Sequence, residues 1–209
     1  VLKDQHHRTI SYLRLSVTDR CNLQCFYCRP AGIAVAKRPV ERMTFDELYR
    51  LVRIAASLGV KKVRLTGGEP LVRSGVIDFI PRLTGIPELE DVSLTTNGVL
   101  LKNNLKKIFV GGIRRLNISM DTLRPERYRQ ITGTDLFDTV WETIDQAVAM
   151  DFQPIKINMV VINGVNDDEV VLVETKIGDR LRRDISPAKA QREPIAITRV
   201  SENNEGFDP

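Results

Sequence analysis

Five short stretches of this chain alternate apolar and polar residues with a period of two. Leu13, Leu15 and Val17 alternate with Arg14 and Ser16, and Val63 and Leu65 flank Arg64. Val92 and Leu94 alternate with Ser93 and Thr95, Leu116, Ile118 and Met120 with Asn117 and Ser119, and Ile155, Ile157 and Met159 with Lys156 and Asn158. That period predicts strands over Tyr12–Val17, Lys62–Leu65, Val92–Thr95, Arg115–Met120 and Ile155–Ile162. Between them the period lengthens. Thr44 and Glu47 have the spacing of a capping box, and Leu48, Leu51, Val52, Ala55 and Leu58 make a helical stripe that stops at Gly59. Further helices are expected at Val76–Leu83, where Pro81 is a weak point, at Leu101–Phe109 and at Leu136–Met150.

Strands that alternate with helices make a parallel sheet. When helices cover both faces of such a sheet, its strands are apolar throughout. Here one face is polar in every strand, so the apolar set should pack under helices while the polar set looks inward. A closed eight-stranded barrel fills its interior with packed side chains. A polar lining instead predicts an incomplete (βα)6 TIM-like barrel of parallel strands around a ligand chamber. An antiparallel sheet with one wet face would not need the intervening helices. Val170–Arg183 reads as a charged helix and Ile195–Val200 as a sixth strand, while Ser186–Glu193 and Ser201–Pro209 read as irregular.

Ligands of parallel α/β folds bind at the carboxyl ends of the strands, and there the chain carries its chemistry. The first strand runs into Cys21-Asn-Leu-Gln-Cys25-Phe-Tyr-Cys28, which holds all 3 cysteines of the chain. Three thiols this close can converge on one metal centre, and they cannot all pair as disulfides. Iron–sulfur clusters are usually held by four thiolates, so three leave one iron open. Zinc held with His6 or His7, or three ordinary buried cysteines, are the other readings. Gly67-Gly68-Glu69-Pro70 follows the second strand, Thr96-Asn97-Gly98 the third, and Asp121 the fourth. Paired glycines let backbone groups approach a ligand closely, as a side chain would not permit.

Composition changes the picture little. The 209 residues carry 42% hydrophobic and 28% charged side chains with a net charge of +4, an ordinary globular balance. No apolar run approaches the ~20 residues of a membrane span, and no basic, aromatic-studded patch argues for nucleic acid. The first residues form neither a signal nor a transit peptide. Without an initiator Met they read as the start of a trimmed piece.

Together these motifs resemble a known family. Cys-x3-Cys-x2-Cys followed by Gly-Gly-Glu-Pro is similar to the radical S-adenosylmethionine (SAM) superfamily. Tyr12–Cys21, Arg64–Leu71, Leu94–Gly98, Asn117–Asp121, Lys156–Asn158 and Gly164–Asp168 resemble, within it, the GTP 3′,8-cyclases of molybdenum-cofactor biosynthesis. The resemblance implies that Cys21, Cys25 and Cys28 hold a [4Fe–4S] cluster with SAM on its open iron. It implies that Tyr27, Gly67, Gly68, Glu69 and Ser119 lie on the SAM side, and that Arg14, Arg64, Thr95 and Lys156 meet GTP. Three inward cations suit a triphosphate; an internal salt bridge to Asp121 or Glu69 is the alternative for Arg14 and Lys156. An external electron donor is implied, and a homodimer is left open.

The resemblance runs from Tyr12 to Glu169, which divides the chain into a radical SAM core at 1–169 and a divergent tail at 170–209. The family has a second cysteine triplet, whereas no cysteine follows Cys28 here. A single-cluster enzyme with another substrate, or a variant that only binds, therefore stands beside the cyclase reading. Free thiols and a low-potential cluster suit a reducing interior: cytoplasm, or the mitochondrial matrix in a eukaryote.

Overall fold

The alternating stretches become neighbouring strands of one sheet in the computed structural model, which describes residues 2–28, 43–173, 175 and 198–201. The order along the chain is β1 (Tyr12–Ser16), α1 (Phe45–Ser57), β2 (Lys62–Thr66), α2 (Val76–Thr84), β3 (Asp91–Thr96), α3 (Leu105–Val110), β4 (Arg115–Ser119), α4 (Pro125–Thr132), α5 (Phe137–Ala149), β5 (Ile155–Val161) and β6 (Thr198–Ser201). The sheet has 6 strands in the order β1-β2-β3-β4-β5-β6. Every neighbouring pair is parallel. Right-handed β–α–β crossovers give this sequential order and lay the helices on one face. The result is the expected incomplete TIM-like barrel, open between β1 and β6 among the described residues.

Register explains the two faces. Leu15, Leu65, Leu94, Leu116 and Ile155 are partners across five strands, and none is more than 5% exposed. They join the helix residues Val52, Phe79, Ile108 and Ile144 in one core. The intervening positions form polar rows on the other face: Arg14, Arg64, Ser93 and Arg115 in one, Thr95, Asn117 and Lys156 in the next.

The helices depart from expectation in three places. α1 buries Leu48, Val52 and Ala56, a narrower stripe than the sequence suggested, and leaves Leu51 and Leu58 exposed. The third helix starts at Leu105 rather than Leu101. Asn104 turns its side-chain amide back to the Leu100 carbonyl at 2.8 Å, the kind of local bond that competes with helix. α4 was not expected at all. Its residues are mostly polar, and it buries only Tyr128, Ile131 and Thr132, although Pro125 in its first turn and Gly133 at its end are the usual start and stop signals. Pro81 leaves α2 unbroken.

Of the expected helix at Val170–Arg183, residues 170–173 and 175 are helical; the rest, like Ser186–Glu193 and residues 202–209, lies outside the described residues. β6 realises part of the expected sixth strand, with Asn158 opposite Thr198. No helix among the described residues is long and apolar enough to cross a membrane.

The capping box is present in full. The Thr44 hydroxyl accepts from the Glu47 amide at 3.2 Å, and the Glu47 carboxylate accepts from the Thr44 amide at 2.6 Å. Thr44→Ala is expected to cost about 1 kcal/mol, read as a lowered midpoint in urea unfolding.

Candidate active site

The cysteine loop leaves the carboxyl end of β1 and is clamped from two sides. On one side lies the Gly67–Glu69 turn that follows β2. The Gly68 amide donates to the Thr18 carbonyl at 2.7 Å and the Glu69 amide to the Arg20 carbonyl at 2.8 Å. A Cβ on Gly67, whose φ is +149°, would stand 2.3 Å from the Thr18 oxygen, and one on Gly68 would stand 2.3 Å from the Arg20 oxygen. The room expected for a ligand is needed here by the backbone of the cysteine loop. On the other side lies the unexpected helix. Gln24 and Phe26 donate their amides to the Thr132 and Ile131 carbonyls of α4, both at 3.1 Å, using carbonyls that a helix end leaves unpaired.

Glu69 faces inward. Its carboxylate is fully buried and accepts from the Thr96 hydroxyl at 2.9 Å, the Asn97 amide at 2.7 Å and the Leu71 amide at 3.1 Å. Burial raises its pKa while the three donors oppose the shift. Those bonds tie the turn after β2 to the turn after β3. Asn97 then reaches back, donating to Asn22 Oδ1 at 2.8 Å and lying 3.7 Å from the Cys21 sulfur.

Within the loop, Cys28 donates its amide to the Cys25 carbonyl at 3.0 Å. All three cysteines are free thiols; Cys28 is exposed and the other two are half-buried. Burial, helped by the charge of Asp121, pushes the Cys25 thiol up to about 12. Between Cys25 and Cys28, the Tyr27 hydroxyl donates to Asp121 Oδ2 at 2.7 Å. Asp121 is itself buried, and its pKa is raised by that burial against the opposing bonds from Val160 and Tyr27.

No three His, Cys, Asp or Glu side chains among the described residues form a set that could hold a single metal ion. A cluster takes each thiolate on a separate iron, and this loop supplies three free thiols.

The raised Cys25 pKa has a chemical consequence. At pH 8 a thiol of that pKa is ionised to roughly one part in ten thousand, and the thiolate is the reactive form. In the metal-free chain the thiolate fraction is roughly a thousandfold below that of an exposed thiol, partly offset by the greater nucleophilicity of a more basic thiolate. Iodoacetamide is therefore expected to modify Cys25 on the order of a hundredfold more slowly, read by peptide mass spectrometry, with Cys28 modified first. The sign for stability follows. Because the folded chain favours the protonated thiol, this contribution is intact below the ordinary value of 9.0 and is lost as pH rises toward about 12.

The substrate-side residues lie on the inner face. Arg14 and Arg64 are partners in register, and Thr95, Asn117 and Lys156 form the row above. Arg64 stacks its guanidinium 5.3 Å from the centre of the Tyr12 ring, and its Nε is buried with no hydrogen-bond partner among the described residues. The carboxylates weighed as internal partners for Arg14 and Lys156 are engaged elsewhere, Glu69 with Thr96 and Asp121 with Tyr27. Ser119 is half-buried at the end of β4, opposite Asn158. Arg115 extends the lower row and pairs with Asp91 at 3.5 Å. Its parity with Asn117 and Ser119 was the available signal.

Gly164–Asp168, prominent in the sequence, proves to be a buckle behind the site. Asn166 donates to the Asp121 and Val160 carbonyls, both at 2.8 Å, and accepts from the Ile162 amide at 2.7 Å. The buried Glu169 accepts from the Thr122 hydroxyl and the Leu123 amide, both at 2.7 Å, and pairs with Arg127.

A model of the radical SAM superfamily matches residues 15–175. The chain belongs to that superfamily. It is 51% identical over 168 residues to a GTP 3′,8-cyclase of Heliobacterium modesticaldum, a match covering 80% of this chain and 51% of that protein. It is 45% identical over 170 residues to one of Thermodesulfovibrio yellowstonii, covering 81% and 53%. The chain thus spans about half the length of the curated relatives it matches. Among solved structures, Streptococcus suis SuiB superposes with a TM-score of 0.67 at 18% identity, over 93% of this chain and 41% of that one. HydG, a maturase of the [FeFe]-hydrogenase, gives 0.61 at 17%, over 80% and 40%. These distant likenesses concern the fold.

Proposed function

We propose that Cys21, Cys25 and Cys28 hold a [4Fe–4S] cluster, and that the chain is the SAM-cleaving part of a GTP 3′,8-cyclase acting in molybdenum-cofactor biosynthesis. When bound, such a cluster supplies the electron that cleaves SAM to methionine and a 5′-deoxyadenosyl radical. What carries the reading is a juxtaposition. The cysteine loop docks on Gly67–Glu69 at the carboxyl end of a sheet whose inner face carries Arg14, Arg64 and Lys156.

Each residue then has a task. Gly67 and Gly68 set the height of the cysteine loop over the strands, and the backbone of Gly67–Glu69, with Ser119 and Tyr27, offers polar groups to SAM. Thr95 offers its hydroxyl, and Arg14, Arg64 and Lys156 their charges, to the GTP phosphates. The apolar core beneath keeps water from the reverse side of the sheet, and the polar inner face leaves a chamber in which a reactive species meets its substrate shielded from solvent. An external donor supplies the electron, and a reducing compartment such as the cytoplasm keeps the thiols free. The radical SAM core spans 1–169 and a divergent tail 170–209.

The substrate assignment is tested by equilibrium binding of GTP to the reconstituted chain with two competitors. Charge-assisted contacts contribute about 1.5–3 kcal/mol each, so the cations favour the phosphate end. Inorganic triphosphate should compete with GTP, and guanosine only weakly. Competition by guanosine alone would place the base, not the phosphates, on these strands. No saturable GTP binding would direct the chamber to another substrate.

A further inference from the structure

We infer that Asp121 is a positioning residue for the cysteine loop, acting through the Tyr27 hydroxyl. The inference rests on the cluster reading and adds to it a residue that the cysteine spacing does not reveal. Tyr27 and Asp121 are 94 positions apart, yet their side chains meet at 2.7 Å. The first half of the loop is held by backbone bonds from Gln24 and Phe26 to α4. Beyond Phe26 the amide of Cys28 turns back to Cys25 within the loop. Among the described residues, the hydrogen bond that ties this second half to the sheet is therefore the one from Tyr27 to Asp121.

Asp121 is fixed on every side for that task. Its Oδ1 accepts from the Val160 amide of β5 at 2.9 Å, and its carbonyl accepts from the Asn166 side chain at 2.8 Å. Asn166 is fully buried, and it also holds the Val160 carbonyl and the Ile162 amide at 2.8 and 2.7 Å. Both carboxylate oxygens are thus committed, one to β5 and one to the loop. A carboxylate taken out of water must be compensated by hydrogen bonds, and charged acceptors make the stronger ones. Groups that orient metal ligands from behind commonly change metal retention or activity 10- to 100-fold when removed, by about that range.

The test compares the parent chain with Tyr27→Phe, Asp121→Asn and the double variant, each reconstituted anaerobically. The readout is the rate at which an iron chelator strips the bound iron, with urea unfolding of the metal-free chains alongside. Tyr27→Phe deletes one hydroxyl and leaves the Val160 bond intact, so it tests the tether even where Asp121→Asn folds poorly. Stripping should be about tenfold faster in each single variant, and the double should be no faster than the faster single. A Tyr27→Phe chain that keeps its iron like the parent overturns the inference, as do effects that multiply in the double. A parent that takes up no iron and sulfide overturns the cluster reading and the inference together.

Discussion

Gly68→Ala is expected to lower SAM cleavage by about a hundredfold or more while the chain still unfolds cooperatively. The added Cβ would lie 2.3 Å from the Arg20 oxygen, 2.6 Å from the Arg20 carbon and 3.0 Å from the Asp19 oxygen. All three are backbone atoms, so no rotamer change relieves the contact, and the chain leading directly into Cys21 has to move. The Glu69 amide would then lose its 2.8 Å bond to Arg20, and the clamp on the cysteine loop would open. Displacement of a reacting group by about 1 Å suffices for a hundredfold loss. The core lies on the other face of the sheet, which is why folding should survive. The check is 5′-deoxyadenosine formation together with iron and sulfide content. Near-parent activity would mean that the loop is not held from this side.

Arg64→Ala is expected to weaken GTP binding by about 10- to 100-fold, from the 1.5–3 kcal/mol of a charge-assisted contact at 1.4 kcal/mol per tenfold. The same change should not lower the unfolding midpoint. Arg64 Nε is buried without a hydrogen-bond partner among the described residues, and a buried donor left unpaired burdens the fold. Its stacking on Tyr12 at 5.3 Å holds the guanidinium plane in place, so Arg64→Lys should restore only part of the affinity. Loss of affinity with no loss of stability marks a side chain kept for a ligand. A large drop in the midpoint with unchanged GTP binding would mark it as structural.

Much of this arrangement was legible because strands have a rigid period. Alternation alone placed Leu65 under the helices and Arg64 on the inner face, and it set Arg14, Thr95 and Lys156 on that face as well. Arg115 obeyed the same parity and was overlooked. What could not be read lies in the connections, where no period says which way a side chain points. Glu69 sits in a turn, and no period there says that its carboxylate collects Thr96, Asn97 and Leu71. The 94-residue separation of Tyr27 and Asp121 is bridged only once the parallel sheet sets the ends of β1 and β4 along one edge. α4 escaped notice because three buried positions among polar neighbours make a faint stripe, yet its last carbonyls carry half of the cysteine loop.

On the proposed function, three cysteines on one clamped loop make this chain a reductive SAM cleaver. The direct measurement is anaerobic reconstitution with iron and sulfide, followed by reduction, addition of SAM and quantification of 5′-deoxyadenosine. The expected result is about four irons and four sulfides per chain and a steady release of 5′-deoxyadenosine that disappears in Cys25→Ala. Stoichiometric zinc without sulfide, or an intact cluster that releases no 5′-deoxyadenosine, would contradict it.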